Sequence, residues 1–517
     1  NGLGPIKTHS YFIHPQMTQG RYTLPVVSLV TDPANLFDYY KGIYIPGATF
    51  KDSSWTGNYE FKGRASEKMC HFEYFDEQGI KQLSQSVGIR VRGEWIRAVG
   101  QKALTVYARS DYDTENNFKY PFFEGLKKPG TSEYQTKYKR FILRNNGNEW
   151  GYFKNTMMRD AAIQSLFSGL NFGYQPFRMT VTFINGEYWG IQDIRELNDV
   201  RGLQYSYDLE PDSIILMEDN LEGQFQLVNG TDADQLEYTG LRDFILTHDL
   251  NIPSNMDTVA SKMDLSSFAD YWIATLFTNK SNADHNKTYW KLRNGTPANK
   301  RYGYDGKWRW IANDFDGGFD HVTDNNLAFN LYIQHDSLLK RMLTCNTYRR
   351  GWIIRFADLM NSHFRTNFVS NRLTEIQNLL EPEMQEHINR WSTPSSMSNW
   401  YLGLDDKQEF AALRPGIQFG QLRDYFFLSD TAHIRLDVND AAQGYIEINS
   451  LRINAALPGV EGNVYPWEGT YFMDLPMSVR AVPKYGYRFV KWVETGNKNS
   501  AETVTLIGDR TMTAMFE

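Results

Sequence analysis

The stretch NKSNADHNKTYWKLR (279–293), followed after a short spacer by KWRWIANDFDGGFD (307–320), decides the reading of this chain. Lys307 to Ala312 alternates and is rich in aromatics, the pattern of a strand. It runs directly into Asn313, Asp314, Phe315, Asp316, Gly317 and Gly318. Two carboxylates one residue apart, set at a strand end beside a flexible glycine pair, present hard oxygen ligands suited to Mg²⁺. Upstream, Asp284 and Asn286 add an acid and an amide oxygen. Phosphoryl transfer needs such parts: a carboxylate to orient the nucleophile, and an Asn and an Asp to hold metal on the phosphates. The same residue types also form turns, so NDFDGG read in isolation can equally end a hairpin.

The flanking sequence supplies the frame. DLSSFADYWIATLFT (264–278) reads as a helix capped by Asp264, with Leu265, Phe268, Trp272 and Leu276 as its buried stripe. This helix delivers the chain into the loop that begins at Asn279. Residues 155–170 read as a second helix, capped by Asn155 and stopped by Gly169. A third spans 370–390, with Leu373, Ile376, Leu380 and Met384 on one face and a kink expected at Pro382. Leu24 to Val30 is a strand-like apolar run. FRMTVTFINGEYWGIQDIRE (177–196) is two strands joined at Asn185-Gly186. Residues 70–110 read as strand, glycine-containing turn, strand, with Arg92-Gly93 and Gly100-Gln101-Lys102 bracketing the turn. A hairpin loop flanked by Arg and Lys can cover phosphates, or stand exposed with its basic side chains stretched along it.

The first 430 or so residues are therefore strand-rich early and helix-rich late, which predicts an α+β, two-lobed domain. From about His433 short alternating strands with Gly and Pro turns take over, which predicts a separate small all-β module. The expected division is residues 1–432, with an N-terminal extension over about 1–60, and residues 433–517.

Composition narrows the function classes. A chain of 517 residues exceeds the usual single domain. The net charge of -7 comes without any basic block, which argues against nucleic acid as a partner. No apolar run approaches the length needed to span a bilayer. Cys70 and Cys345 are too far apart for a zinc motif and are expected as free, packed thiols. Aromatics make up 15% of the chain, a surplus that predicts rings lining binding surfaces as well as cores.

Six stretches in this order resemble the spore coat protein H (CotH) kinase family of atypical protein kinases. They are LPVVSLVTDPANLFDYYKGIY (24–44), GIRVRGEWIRAVGQKALTVYARSDYD (88–113), RFILRNNGNEW (140–150), FINGEYWGIQDIRE (183–196), NADHNKTYWKL (282–292) and WRWIANDFDGGFD (308–320). The resemblance implies an atypical protein-kinase-like two-lobed fold, ATP with Mg²⁺ or Mn²⁺, and phosphorylation of protein Ser or Thr, with the chain itself among the candidate substrates. It matches Lys102 to the phosphate-binding lysine, places Arg92 and Arg97 in the covering hairpin, and puts Glu196 near the adenosine end. Asp314 is matched to the metal-holding aspartate, with Asp316 assisting and Asn286 as the second metal ligand. The acid partner of Lys102 is open between Asp160 and Glu149. The C-terminal segment resembles a divergent bacterial surface repeat of the InlB B type, through Gly486 to Trp492, Asp509 to Thr511 and Ala514 to Phe516. Together these imply a secreted or cell-surface bacterial protein, with cell-surface or glycan contacts through aromatics and the C-terminal module.

One departure bears on activity. In typical kinases the catalytic Asp precedes the metal-binding Asn by five positions, which lands on Ser281 here, whereas Asp284 precedes Asn286 by two. Either the loop is shortened and Asp284 is catalytic, or the chain keeps the fold as a pseudokinase or surface interaction protein. A third reading takes Asp314-Phe315-Asp316 as the metal-binding pair of a glycosyltransferase. The lack of a βαβ nucleotide-binding pattern near the N-terminus counts against it.

Overall fold

The computed structural model describes residues 8–13, 20–51, 55–220, 224–281, 286–333 and 337–517. Seven strands form a closed barrel: β1 (Val26–Val30), β2 (Lys68–Phe75), β3 (Lys81–Val91), β4 (Leu104–Tyr107), β5 (Arg140–Arg144), β6 (Phe177–Ile184) and β7 (Glu187–Glu196). Their order is β1-β2-β3-β4-β5-β7-β6, and β6 closes the ring by pairing parallel to β1. The turn between β6 and β7 is as read from the sequence. Asn185 and Gly186 both take positive φ, 52° and 81°, as a tight two-residue hairpin turn demands. The inward faces of the strands carry rings, among them Phe72, Phe141 and Trp189, which pack with Phe118 and Phe122 from the β4–β5 connection. Much of the aromatic surplus is thus core rather than binding surface.

The other half is helical. Helix α1 (Arg159–Ser165) is shorter than its sequence pattern suggested and is not capped by Asn155. The Asn155 amide is instead buried and bonded to Asn146 at 2.7 Å and Thr393 at 3.3 Å. Helix α2 (Val200–Tyr207) follows the barrel. Helix α3 (Leu265–Phe277) is capped by Asp264, which accepts from the Ser266 and Ser267 amides. Every residue of α3 from Ser267 onward is buried, because α3 runs through the middle of the helical half rather than along its surface. Beside it lies a four-stranded sheet of β8 (Ile214–Asp219), β9 (Phe225–Asn229), β10 (Lys287–Leu292) and β11 (Arg309–Ala312), ordered β9-β8-β10-β11. The last two of these strands carry the decisive stretch.

Three helices close the domain: α4 (Asn346–Met360), α5 (Thr366–Trp391) and α6 (Met397–Phe426). Beyond them come two four-stranded sheets. One joins β12 (Thr431–Val438), β15 (Trp467–Phe472), β17 (Phe489–Trp492) and β19 (Arg510–Phe516). The other joins β13 (Gly444–Ile448), β14 (Leu451–Arg452), β16 (Met477–Pro483) and β18 (Ala501–Val504). None of these strands pairs with the barrel. Their shared core contains Ile434, Ile446, Trp467 and Trp492 and also takes in Ala357 of α4. The seam is polar as well as apolar. Asp358 of α4, fully buried, accepts from the Asn449 amide, the Ser450 backbone and hydroxyl, and the Tyr471 hydroxyl. Asn361 exchanges two hydrogen bonds with the backbone of Thr470.

Helix α5 fastens the two halves of the larger domain. Glu383 accepts from the backbone of Thr23 just ahead of β1, and Trp391 donates its indole N–H to the Trp189 carbonyl of β7. Between them His387 is wholly buried: Nδ1 accepts from the Ile191 amide at 2.9 Å, and Nε2 faces the Thr393 carbonyl at 3.1 Å. Gly190 permits this approach, since a Cβ there would lie 2.7 Å from the imidazole. Burial pushes His387 down to about 4 from an ordinary 6.5. Between those values the unfolded chain takes up a proton that folded His387 refuses, so stability falls as pH falls from about 6.5 towards 4. His387→Asn keeps an acceptor for Ile191 and removes the titration. In urea melts at pH 7 and pH 5 the wild type should lose about 2 kcal/mol more than the variant; equal losses would refute the assignment.

Candidate active site

The decisive stretch folds into two left-handed corners that face each other. Asn286, at the foot of β10, has φ 57°, and Asp314, just past β11, has φ 56°. Asn and Asp tolerate this region better than most residues. The Asn286 Nδ2 donates to Asp314 Oδ2 at 3.0 Å. Asp316 lies two residues on and is almost fully buried, while the Asp314 side chain keeps about a third of its surface exposed. The structure thus brings three of the expected metal-site residues together. Asp284 lies outside the described residues. Ser281 is present beside the site, where its amide donates to the Gly317 carbonyl.

The cation bonded to both carboxylates is one that sequence analysis did not single out. Arg144, at the end of β5, donates to Asp314 Oδ1 at 3.0 Å and to Asp316 Oδ2 at 2.7 Å, and lies 3.9 Å from Asp160. Burial alone would lower the Arg144 pKa, but Asp160, Asp316 and Asp314 together hold it above the ordinary value. Asp160 of α1 also pairs with Arg195 of β7 and accepts from the Phe315 amide at 2.7 Å. Of the two acids left open as the partner of Lys102, Asp160 is bonded within this site, and neither is paired with Lys102, which is held by the Arg97 and Val99 carbonyls. Glu149 is turned to Thr156, Asn146 and Arg159. Asn148 completes the holding of Asp316, donating its backbone N–H at 2.9 Å and its side-chain amide at 2.6 Å. Glycine is required just before it: Gly147 has φ 61°, and a Cβ there would stand 2.0 Å from Asp316 Oδ2. The signal available in the sequence was Arg144-Asn145-Asn146-Gly147, a cation at a strand end followed by turn formers.

Burial first, and then the nearby Asp314 charge, push Asp316 up to about 7, with Arg144 opposing. Beneath them Lys280 is wholly buried, its ammonium 3.0 Å from the Asn313 carbonyl and 4.5 Å from the Phe315 ring centre. Burial pulls it down to about 8, against the attraction of Asp314.

The hairpin loop between β3 and β4 leans on the same site, but not through the expected residues. The Lys102 ammonium donates to the Arg97 and Val99 carbonyls at 2.6 and 2.7 Å and lies over the Tyr59 ring; burial lowers it to about 8. Arg97 is folded inward onto the carbonyls of Gly93 and Tyr59. Arg92 reaches solvent but lies within electrostatic range of Asp199 and Arg144, and its amide closes the loop onto Ala103. Trp95 makes the bridge instead, donating to Asn148 Oδ1 at 2.8 Å. Trp95, Asn148, Ser281 and Asp316 line one cleft of about 1200 Å³. Glu196 opens elsewhere: it lines a second cavity that shares no lining residue with this cleft. A carboxylate pair, one buried and one part-exposed, held by Arg144 under an aromatic-capped loop is suited to receiving a polyanion and its counter-cation.

Residues 89–417, well over half of the chain, match the family model of the CotH kinase protein. The chain belongs to the CotH kinase family. Residues 454–517 match the divergent InlB B-repeat domain and lie within the C-terminal sheets. No curated protein sequence matches the chain. Among the described residues no helix is long and apolar enough to cross a membrane. In this CotH domain the family match covers Lys102, Arg144, Asn286 and both carboxylates.

Removing Arg144 leaves buried carboxylates without their cation, a class of change that costs about 3–5 kcal/mol. Arg144→Ala should lower the urea-denaturation stability by that amount, and Mn²⁺ should restore more of it in the variant than it adds to wild type. A loss below about 1 kcal/mol, the range of a solvent-screened pair, would show that Arg144 is not the charge partner of this site.

Proposed function

We propose that this protein is an exported protein kinase of the CotH type that transfers the γ-phosphoryl group of ATP to Ser or Thr of a protein substrate. The observation that carries the reading is the constellation Asn286, Asp314, Asp316 and Arg144, gathered from two lobes and roofed by the β3–β4 loop. On this reading the barrel and the helical half are the two kinase lobes, and the module from residue 433 onward is an accessory domain. The surface-repeat match supports export.

The donor set fits a hard divalent cation. Its groups are carboxylate and amide oxygens, and the pKa of Asp316, raised first by burial and then by the Asp314 charge, includes a repulsion that a cation would relieve. Asp314, the more exposed carboxylate, and the Asn286 amide oxygen would hold Mg²⁺ or Mn²⁺. The bound cation would neutralise charge on the ATP phosphates. Asp316, saturated by Arg144 and Asn148, orients Asp314 and Arg144 rather than serving as a ligand itself. Arg144 is then the fixed positive charge facing the phosphates, while Lys102 buttresses the loop from within. Asp284 is assigned to orient the acceptor hydroxyl. Most of the rate gain in such a site comes from positioning and preorganised charge.

A pseudokinase reading is favoured by one observation: Lys102 is bonded to loop carbonyls. The two readings separate on transfer. Mn²⁺ with ATP at a hundredfold over Kd should stabilise the wild type by about 2.7 kcal/mol, and Asp314→Ala should abolish that shift. Labelled ATP should mark the protein or an added substrate, and Asp284→Ala should lose the label while keeping the thermal shift. Binding without transfer would leave the pseudokinase; identical melting responses in wild type and Asp314→Ala would defeat the metal assignment.

A further inference from the structure

The cavity onto which Glu196 opens lies behind the β7–α2 connection, has a volume of about 1020 Å³, and falls at the upper end of the range of ligand pockets. Glu196 is only 5% exposed. Its Oε1 accepts from the Ser206 hydroxyl at 3.2 Å, and Oε2 has no hydrogen-bond partner among the described residues. The charged side chains that line the same cavity are committed elsewhere. Arg178 is paired with Glu77, and Arg372 with Glu375, and Lys127 lies over the Tyr134 ring. Glu124 is exposed and, like Asp199 nearby, carries the same sign as Glu196. Among the described residues no fixed cation therefore answers Glu196. Tyr174, Phe177, Tyr207 and Tyr302 line the same cavity, and aromatic faces attract organic cations.

We propose that this cavity is a second ligand site, distinct from the cleft at Asp316, and that it takes a small organic cation whose amine or amidine pairs with Glu196. Burial raises the Glu196 pKa to about 8, so the empty site holds a neutral acid at pH 7. Binding a cation makes ionisation favourable, and the displaced carboxyl proton leaves to solvent. Ligand uptake is therefore coupled to proton release, a signature that a merely apolar pocket does not produce.

The test uses the full chain and benzamidine as the probe, with benzamide as its neutral isostere. Calorimetry near pH 7 in buffers of different ionisation enthalpy should show benzamidine binding with close to one proton released, and benzamide binding at least roughly tenfold more weakly. Glu196→Gln mimics the neutral acid, so its melting temperature should match the wild type, while benzamidine affinity falls roughly tenfold or more and proton release disappears. Asp314→Ala should bind benzamidine like the wild type, which keeps this result separate from the kinase assignment. No benzamidine binding to the wild type, unchanged affinity in Glu196→Gln, or displacement of benzamidine by ATP would each overturn the proposal.

Discussion

Burying a guanidinium is costly unless it is paired or fully hydrogen-bonded, and in this protein Arg144 has three carboxylates within reach. Asp160 comes from the helical segment between β5 and β6, and Asp314 and Asp316 from the turn after β11. The barrel and the second sheet share no strand pairing, and this charge cluster joins them at the cleft, beside the apolar core they share. It also determines local detail. Asp316 can be buried because Arg144 and Asn148 satisfy it, Asn148 can reach it because residue 147 lacks a side chain, and Trp95 can roof the cleft because Asn148 offers it an oxygen. Removing the central cation would loosen a chain of dependencies that ends at the covering loop.

What the sequence made legible follows from the range of the forces involved. The β6–β7 hairpin, the cap of α3 and the strand leading to Asp314 are local, since each rests on propensity or on a side chain within a few residues. The approach of Asn286 to Asp314 spans 28 residues but is carried by one antiparallel strand pair, and so it too was within reach. The partner of the carboxylates was not. Arg144 lies 170 residues from Asp314, and in sequence it is one of many arginines at a strand end. Lys102 looked the better cation because a loop lysine is ordinarily free. Here the loop turns its own carbonyls inward and captures the ammonium. Asn155 failed as a cap for a similar reason: it is held by Asn146 and Thr393, the second of which is distant in sequence. Glu196 was placed correctly at the end of β7, but the face from which its side chain emerges is set by the barrel, not by local pattern.

The seam of the C-terminal module argues for a fixed attachment. Asp358 is buried with four hydrogen bonds, all of them from that module, and burial raises its pKa against those bonds. Such a carboxylate would be an uncompensated buried group if only the repeat side were removed while the apolar contacts stayed closed. Arg355 adds a second junction, bidentate to Asp270 of α3 and bonded to Ser450 of the repeat. The core of the helical half and the repeat are therefore held by one continuous polar network.

Helix α5 gives this arrangement a mechanical meaning. Its 26 residues extend roughly 39 Å at 1.5 Å per residue. Near one end Asn367 is bonded to Gly459 and Glu461 on the repeat side, and near the other His387 and Trp391 grip β7. One continuous helix, with Pro382 in its interior, therefore ties the β module to the barrel wall, while Arg355 and Asp270 tie the same module to α3.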